Sequence, residues 1–407
     1  MTTADTLRTW RTPLIVILFG CVVSMVSFGP RSALGQFLTP ISLQNGWTRE
    51  TFSLALALQN LFWGLGQPFA GAVADRFGTV RVLIGGLILY GLGLALMAYA
   101  DTPGLLQLSA GGLIGFGLSG ASGNMVIGAF GKLVPESKRS MAFGACTAAG
   151  SFGQFLFSPL ARGLIDGFGW QSALLIFAAV MVLTIPFCFA LATPTNESSQ
   201  SAQPTQSFRA ALGEAFAHPS YVFLVLGFFT CGFQLAFTTV HLPAYLVDRG
   251  LGNDAGAWTI AVIGLFNIFG SLTAGYLGNV MPKRYILAAI YFSRAVAIAA
   301  FILLPATLTS ALIFGAVSGF LWLSTVPPTS ALVAVMFGTR WLAMLYGFAF
   351  FSHQVGGFLG VWLGGVLFDR TGSYDVVWWL SVALGIASGL INLPIRETAV
   401  LRPVPAT

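Results

Sequence analysis

Apolar stretches of about twenty residues recur along this chain, and that length spans the hydrocarbon core of a bilayer. Twelve such spans are predicted, at 13–38, 50–73, 80–100, 104–130, 140–165, 170–191, 221–246, 257–280, 285–305, 309–336, 342–368 and 376–394. In lipid a backbone must satisfy its own hydrogen bonds, so each span is predicted to be a helix and the chain an all-α membrane protein. Charge agrees: 8% of the 407 residues are charged and 56% are hydrophobic. A water-soluble domain carries about 25% charged residues, so a soluble enzyme is excluded. The first span is too long for a signal peptide, and no small-residue cleavage site follows it.

One connection is long. Thr193 to Pro219 opens with the polar run TPTNESSQSAQPTQS, which reads as a solvated linker. It divides the chain into an N-terminal six-helix bundle at 1–192, a linker at 193–219 and a C-terminal six-helix bundle at 220–407. The basic residues orient the spans, because Lys and Arg concentrate on the cytoplasmic side. With the N-terminus inside, 13 basic residues face inward and 4 outward, and both termini are cytoplasmic. The net charge of +6 is therefore a topology signal, and no basic stripe suited to nucleic acid is present. A multi-pass protein of the cell inner membrane is expected.

The two halves repeat. At an offset of 204, Phe19, Leu38, Gly46, Ala57, Gly66 and Gly71 match Phe223, Leu242, Gly250, Ala261, Gly270 and Gly275. One residue fewer, at 203, Gly144, Gly153, Asp166 and Gly169 match Gly347, Gly356, Asp369 and Gly372. Parallel repeats of this kind imply a pseudo-two-fold axis along the membrane normal and a site near midplane between the halves.

Between spans 2 and 3 the chain reads Gly71-Ala-Val-Ala-Asp75-Arg76-Phe-Gly78-Thr-Val-Arg81. This resembles the signature loop of the major facilitator superfamily, G-x-x-x-D-R-x-G-R-R. The resemblance implies the two-bundle fold of that superfamily, working by alternating access. It also makes Gly71, Asp75, Arg76, Gly78 and Arg81 a conformational lock, with Gly71 permitting close packing. The second copy is weaker, with Asn279 and Pro282 in place of Asp and Gly. Three stretches resemble the branch of monocarboxylate porters and the oxalate/formate exchanger: Phe28–Phe37 with Gly46–Arg49, Trp322–Thr329, and Phe351–Gln354. The monocarboxylate porters carry an Asp and an Arg in span 8, just before the repeat of the loop motif. Asn267 and Ser271 stand there instead, so the residues the resemblance assigns to carboxylate grip and proton coupling are missing.

All 13 acids lie in loops, tails or last turns of spans, which argues against export of cationic drugs. Two arginines lie deep. Arg31, in span 1, is an expected substrate contact, because charge inside a membrane is costly and a guanidinium forks onto carboxylates. Arg294, in span 9, is expected to be structural, bonding groups of span 8 such as Asn267. His353 and Gln354, midway along span 11, and Asn124 and Gln234 complete the expected substrate contacts. Histidine titrates near neutrality, so His353 is also a candidate proton carrier. His241 is expected at the outer interface. Glycine stripes in spans 4 and 11 suggest close helix packing, and Cys21, Cys146, Cys188 and Cys231 read as small buried hydrophobes.

No nucleotide-binding loop, metal-spaced His/Cys set or activated nucleophile occurs, so no enzyme activity and no cofactor is expected. The predicted activity is secondary active transport of a small organic anion, a mono- or dicarboxylate, by a monomer. The coupling species would be a proton or an exchanged anion. The alternative is export of a neutral or amphiphilic compound or a metalloid.

Overall fold

In a computed structural model, which describes residues 10–193, 208–338 and 342–400, the described residues are helical almost throughout. Helix α1 runs Pro13–Ala33, continues through a 3-10 turn at Leu34–Phe37, and ends with Leu38–Asn45. Helices α2 (Arg49–Phe77) and α3 (Thr79–Ala98) follow, then α4 (Pro103–Leu133). The stretch Glu136–Cys188 is helical throughout except at Gly169, whose φ of 81° and extended ψ divide it into α5 and α6. The second half comprises α7 (Pro219–Asp248), α8 (Asn253–Val280), α9 (Lys283–Leu303), α10 (Leu308–Phe337), α11 (Leu342–Thr371) and α12 (Asp375–Asn392). A short helix at Phe208–Ala217 precedes α7.

Ten segments are both long and apolar enough to cross a membrane. Met141–Leu191 is one of them and holds two crossings, α5 and α6. Helix α2 is the twelfth: 29 residues long, it is less apolar because Gln59, Asn60 and Gln67 lie along it. Twelve crossings put both ends of the chain on one face. There Arg11 bonds the Ala190 and Ala192 carbonyls, and the Val400 N–H bonds the Met336 carbonyl. Large apolar side chains such as Phe69 and Leu183 are exposed around the belt, as a lipid-facing surface requires.

Buried apolar residues form two cores, one built mainly from 16–191 and one from 215–395. The internal repeat is physical as well as sequential. A methyl group added at Gly111 or Gly115 would press on the Ala55 or Gln59 carbonyl; at Gly315 or Gly319 it would press on the Thr259 or Ile263 carbonyl. All four pairs obey the 204 offset. Likewise Gly153 meets the Met25 carbonyl and Gly356 the Phe229 carbonyl. The glycine stripes thus bring α4 onto α2, α10 onto α8, α5 onto α1 and α11 onto α7 without an intervening side chain.

Both fourth helices of the repeats are broken. Helix α4 turns extended at Ser122 and restarts at Gly123. Helix α10 ends its first half, Leu308–Leu321, and resumes at Val326, where Pro327 and Pro328 open a new first turn.

Candidate substrate site and gate

Arg31 sits just past the middle of the rod that starts at Pro13. Gly29 lets the Phe157 ring of α5 lie directly on α1 beside it, and the Ser32 hydroxyl donates to the Gly29 carbonyl. This fixes the turn that aims Arg31 toward α2. Its Nη2 donates to Asn60 Oδ1 at 2.6 Å, and Asn60 is itself held by the Leu56 carbonyl at 2.9 Å. The guanidinium carbon stands 4.7 Å from the Trp63 ring centroid and 5.9 Å from that of Phe28. Cation–π contact of this kind stabilises a charge that has left water. Arg31 Nε is buried without a hydrogen-bond partner, and so is the hydroxyl of Tyr90, which lies within electrostatic reach. Arg31, Gln59, Asn60, Ala236 and Thr239 line a small cavity on the seam between the halves.

An aromatic chain crosses the seam from this cavity. Trp63 meets Phe350 edge-on at 5.4 Å; Phe350 stacks on His353 at 5.9 Å; His353 packs on Phe228 at 4.9 Å. His353 Nδ1 lies 3.2 Å from Gln354 Oε1, and the Gln354 side chain lies against Gly64 of α2. Arg31, His353 and Gln354 therefore share one region of the seam. The other two expected contacts lie elsewhere. Asn124 is exposed on the second half of α4 and bonds nothing in the Arg31 cavity. Gln234 is buried within the second bundle, where its Nε2 donates to the Ser381 carbonyl. It lines a different cavity, with Thr238, Arg294, Ser318 and Trp322.

Two other expectations are corrected. Arg294 does not bond Asn267: its donors go to the Leu321 and Trp322 carbonyls at the break of α10. Asn267 instead receives the Leu323 N–H and donates to Ser151 of α5, with Ser271 on its own oxygen. His241 is fully buried rather than interfacial. One ring nitrogen lies 2.8 Å from the Val361 carbonyl and the other 3.1 Å from the Tyr374 hydroxyl. Gly71, expected to pack closely, has open space around it in this conformation. The Asp75 side chain lies outside the described residues. Of its loop, Gly78 has a φ of 90°, Arg81 bonds the Phe77 carbonyl, and the Arg76 guanidinium lies over the Phe77 ring. Gly78 is the one position there whose backbone demands glycine.

The face opposite the termini is shut. Arg49 at the start of α2 forks onto both oxygens of Asp248 in α7, at 2.6 and 2.7 Å. Its guanidinium carbon lies 3.8 Å from the Phe368 ring centroid, and its Nη1 also donates to the Tyr374 hydroxyl. Burial pulls the Arg49 pKa down, but bonding and charge from Asp248 and Tyr374 outweigh it and hold it above its ordinary value. Asp369 of α11 accepts the backbone N–H groups of Arg49 and Glu50, capping α2 from the opposite bundle. Gly365 lets α11 lie on Glu50 and Ser53, and Gly35 lets α1 lie on the Thr239 and Val240 carbonyls.

Twelve helical crossings in two repeated halves, with a buried guanidinium between them, fit a secondary transporter. The sequence profile of the Major Facilitator Superfamily matches residues 20–361, and the chain belongs to that superfamily. The uncharacterized MFS-type transporter YcxA of Bacillus subtilis (strain 168) is 25% identical over 387 residues, covering 93% of this chain and 94% of the relative. Monocarboxylate transporter 13 of Rattus norvegicus is 25% identical, covering 93% and 88%. Monocarboxylate transporter 11 of Homo sapiens is 27% identical, covering 84% and 73%. These relatives agree with the monocarboxylate-porter branch. Among solved structures, the D-xylose-proton symporter superposes with a TM-score of 0.74 at 14% identity, covering 96% of this chain and all of that one. A bacterial homologue of the lysosomal transporter Spinster, inward-facing and occupied, superposes at 0.73 and 15% identity, covering 93% and 95%. Both likenesses concern the fold.

Proposed function

We propose that this chain carries a small organic anion, a mono- or dicarboxylate, across the cell inner membrane, and that Arg31 grips its carboxylate. The observation that carries the reading is the Arg31 guanidinium on the seam. Among the described residues it has no acidic partner, and its Nε donor is buried and unbonded. A carboxylate accepts from a planar guanidinium fork, and the Tyr90 hydroxyl is a further unbonded donor for it. The monocarboxylate transporters among the relatives support the same substrate class. His353, joined to the Arg31 region through Phe350 and Trp63, is the coupling group on this reading, and the proton is the coupling ion. The positive-inside pattern supports cytoplasmic termini, and on that reading the open face is the inward one. The bundles at 1–192 and 220–407 are the rocking bodies, with 193–219 joining them, and the unit is a monomer.

A second reading, export of a neutral or amphiphilic compound, draws on α8. Asn267 and Ser271 there are uncharged and bonded to each other, so α8 offers neither a carboxylate grip nor a proton carrier. Uptake into proteoliposomes separates the two. Radiolabelled lactate, pyruvate and oxalate are supplied under an imposed proton gradient to wild type, Arg31→Ala and Arg31→Lys. Saturable uptake that falls more than about a hundredfold in Arg31→Ala, with partial return in Arg31→Lys, supports the anion reading. Arg31→Ala transporting a carboxylate as wild type does would sink it.

A further inference from the structure

Asn60 is a buried amide that helix packing alone does not require. Its side chain lies against α11 at Gly357, where an added methyl group would stand 3.3 Å from Cγ and 3.4 Å from Oδ1. The internal repeat supplies a comparison. Asn60 corresponds to Gly264 at the 204 offset, and Gln154 corresponds to Gly357 at 203. In the equivalent contact of α8 on α5, side chain and glycine are therefore exchanged: Gly264 lies on the Gln154 side chain and the Ser151 carbonyl. The helices meet closely there with no amide on α8. What differs is the neighbour, because Arg31 corresponds to Leu235, and only the first half has a cation for this position to meet.

The amide is oriented by its own helix. Nδ2 donates to the Leu56 carbonyl at 2.9 Å, which leaves Oδ1 to accept from Arg31 Nη2 at 2.6 Å. Reversing the amide would break both bonds, so its oxygen is held toward the guanidinium. Arg31 and Asn60 line the same cavity on the seam. Asn60 thus satisfies one guanidinium N–H with a neutral oxygen and leaves the positive charge whole. A carboxylate entering the cavity brings a full charge to that N–H and fits the planar fork, so it displaces an amide oxygen. An aspartate at position 60 would neutralise Arg31 beforehand and meet the incoming anion with a like charge.

We propose that Asn60 is a placeholder for the substrate: its Oδ1 occupies the Arg31 N–H that a substrate carboxylate takes, and its neutrality keeps the site selective for anions. On binding, a carboxylate oxygen replaces Oδ1 at Nη2; no covalent bond changes and no proton moves. Asn60 therefore competes with the substrate while it holds the guanidinium in place. It acts through Arg31, as a positioning residue that sets specificity. The proposal rests on the carboxylate reading of Arg31.

The test measures melting temperature and the binding of lactate, pyruvate and oxalate, with the full-length protein in lipid nanodiscs. Asn60→Asp should weaken binding by at least about a hundredfold. Its melting temperature without substrate should stay level or rise, because Arg31 gains an ionic partner. A merely structural defect would lower both. Adding Arg31→Ala to Asn60→Asp should bring the melting temperature down, since the buried carboxylate is then unpaired. Asn60→Ala should melt below wild type, bind at least as tightly, and show a larger rise in melting temperature on adding substrate. It carries the test if Asn60→Asp does not fold. Asn60→Asp binding as wild type does, or Asn60→Ala weakening binding by more than about tenfold, overturns the proposal and leaves the carboxylate reading standing. Wild type that binds none of the three anions defeats the carboxylate reading itself, and the proposal with it.

Discussion

The two ends of the seam between the bundles share helices α2 and α11 and behave oppositely. At the face away from the termini, Gly365 of α11 lies on Glu50 and Ser53 of α2, and Arg49 locks onto Asp248. At the midpoint the helices still touch, Gly64 on Gln354 and Gly264 on Ser151. At the face of the termini they have parted. Gly71 of α2, Gly144 of α5, Gly275 of α8 and Gly347 of α11 have nothing within 4 Å of an added Cβ. These four are two repeat pairs, Gly71 with Gly275 and Gly144 with Gly347. Glycine costs a helix roughly 1 kcal/mol against alanine, so four unpacked glycines at matched places are unexplained by the conformation seen. They are what the opposite closure would need. On the alternating-access reading, the open end would carry a second state in its composition, while the closed end shows the first in its contacts.

The comparison breaks most directly at Gly365. A leucine there must displace the α2 backbone at Glu50, and overpacking of this kind costs about 1–3 kcal/mol. The closed end should open by roughly ten- to a hundredfold in population. Spin labels on α2 and α11 at that end should report the longer distance as the main species. If Gly365→Leu leaves the distance distribution unchanged, packing at this end does not hold the gate.

The charged latch should matter less. The Arg49–Asp248 pair is partly exposed, at 17% and 32% for the two side chains. Such pairs are worth about 0.2–1 kcal/mol, and the stack on Phe368 adds a similar amount. Asp248→Asn should shift the same distance populations by about fivefold or less. A double-mutant cycle with Arg49→Gln should show the two effects to be non-additive. Full additivity would mean the pair contributes nothing.

Smaller again is the cap on α2. Asp369 accepts two N–H groups across the seam, but its repeat partner Asp166 does not cap α8; it pairs with Arg162 on its own helix. Both helices carry an acid in the first turn, Glu50 in α2 and Asp254 in α8, so the difference lies in the Arg162 partner that Asp166 has on its own helix. Asp369→Asn should therefore weaken the closed end by about 1 kcal/mol at most. Asp166→Asn should leave it untouched. Equal effects would show that the repeat symmetry, and not this local chemistry, sets the gate.

How much of this was legible beforehand follows from what lipid does to sequence signals. Span number, the repeat and the depth of Arg31 were readable, because each depends on where residues fall along the chain. Which way a helix turns was not. In water an apolar stripe points to the core, but a membrane helix is apolar on every side, so the stripe carries no direction. For that reason the sequence did not show that Asn124 and Gln234 fall outside the cavity that Arg31 lines. Trp63 and Tyr90 went unnoticed as neighbours of Arg31 because aromatic residues are unremarked among 36 phenylalanines. The spacing Asn60-x-x-Trp63, one helical turn, was the available signal: it puts a bond acceptor and an aromatic face on one side of α2.

The least disturbance to the conformation seen should come from the open end, and that makes it the sharpest test of the second state. Gly347→Leu meets no atom here, so the melting temperature should stay level or rise with the better helix propensity. On the alternating-access reading, turnover would need the other closure, with α11 approaching α2 along that glycine. The variant should bind substrate from the open face and fail to release it on the far side. Counterflow and net uptake should fall together while thermal stability holds. Gly85, on α3 away from the seam, is equally open and supplies the control: Gly85→Leu should leave both intact. If Gly347→Leu cycles at the wild-type rate, the unpacked glycines are not waiting for a partner, and the two ends differ by composition alone.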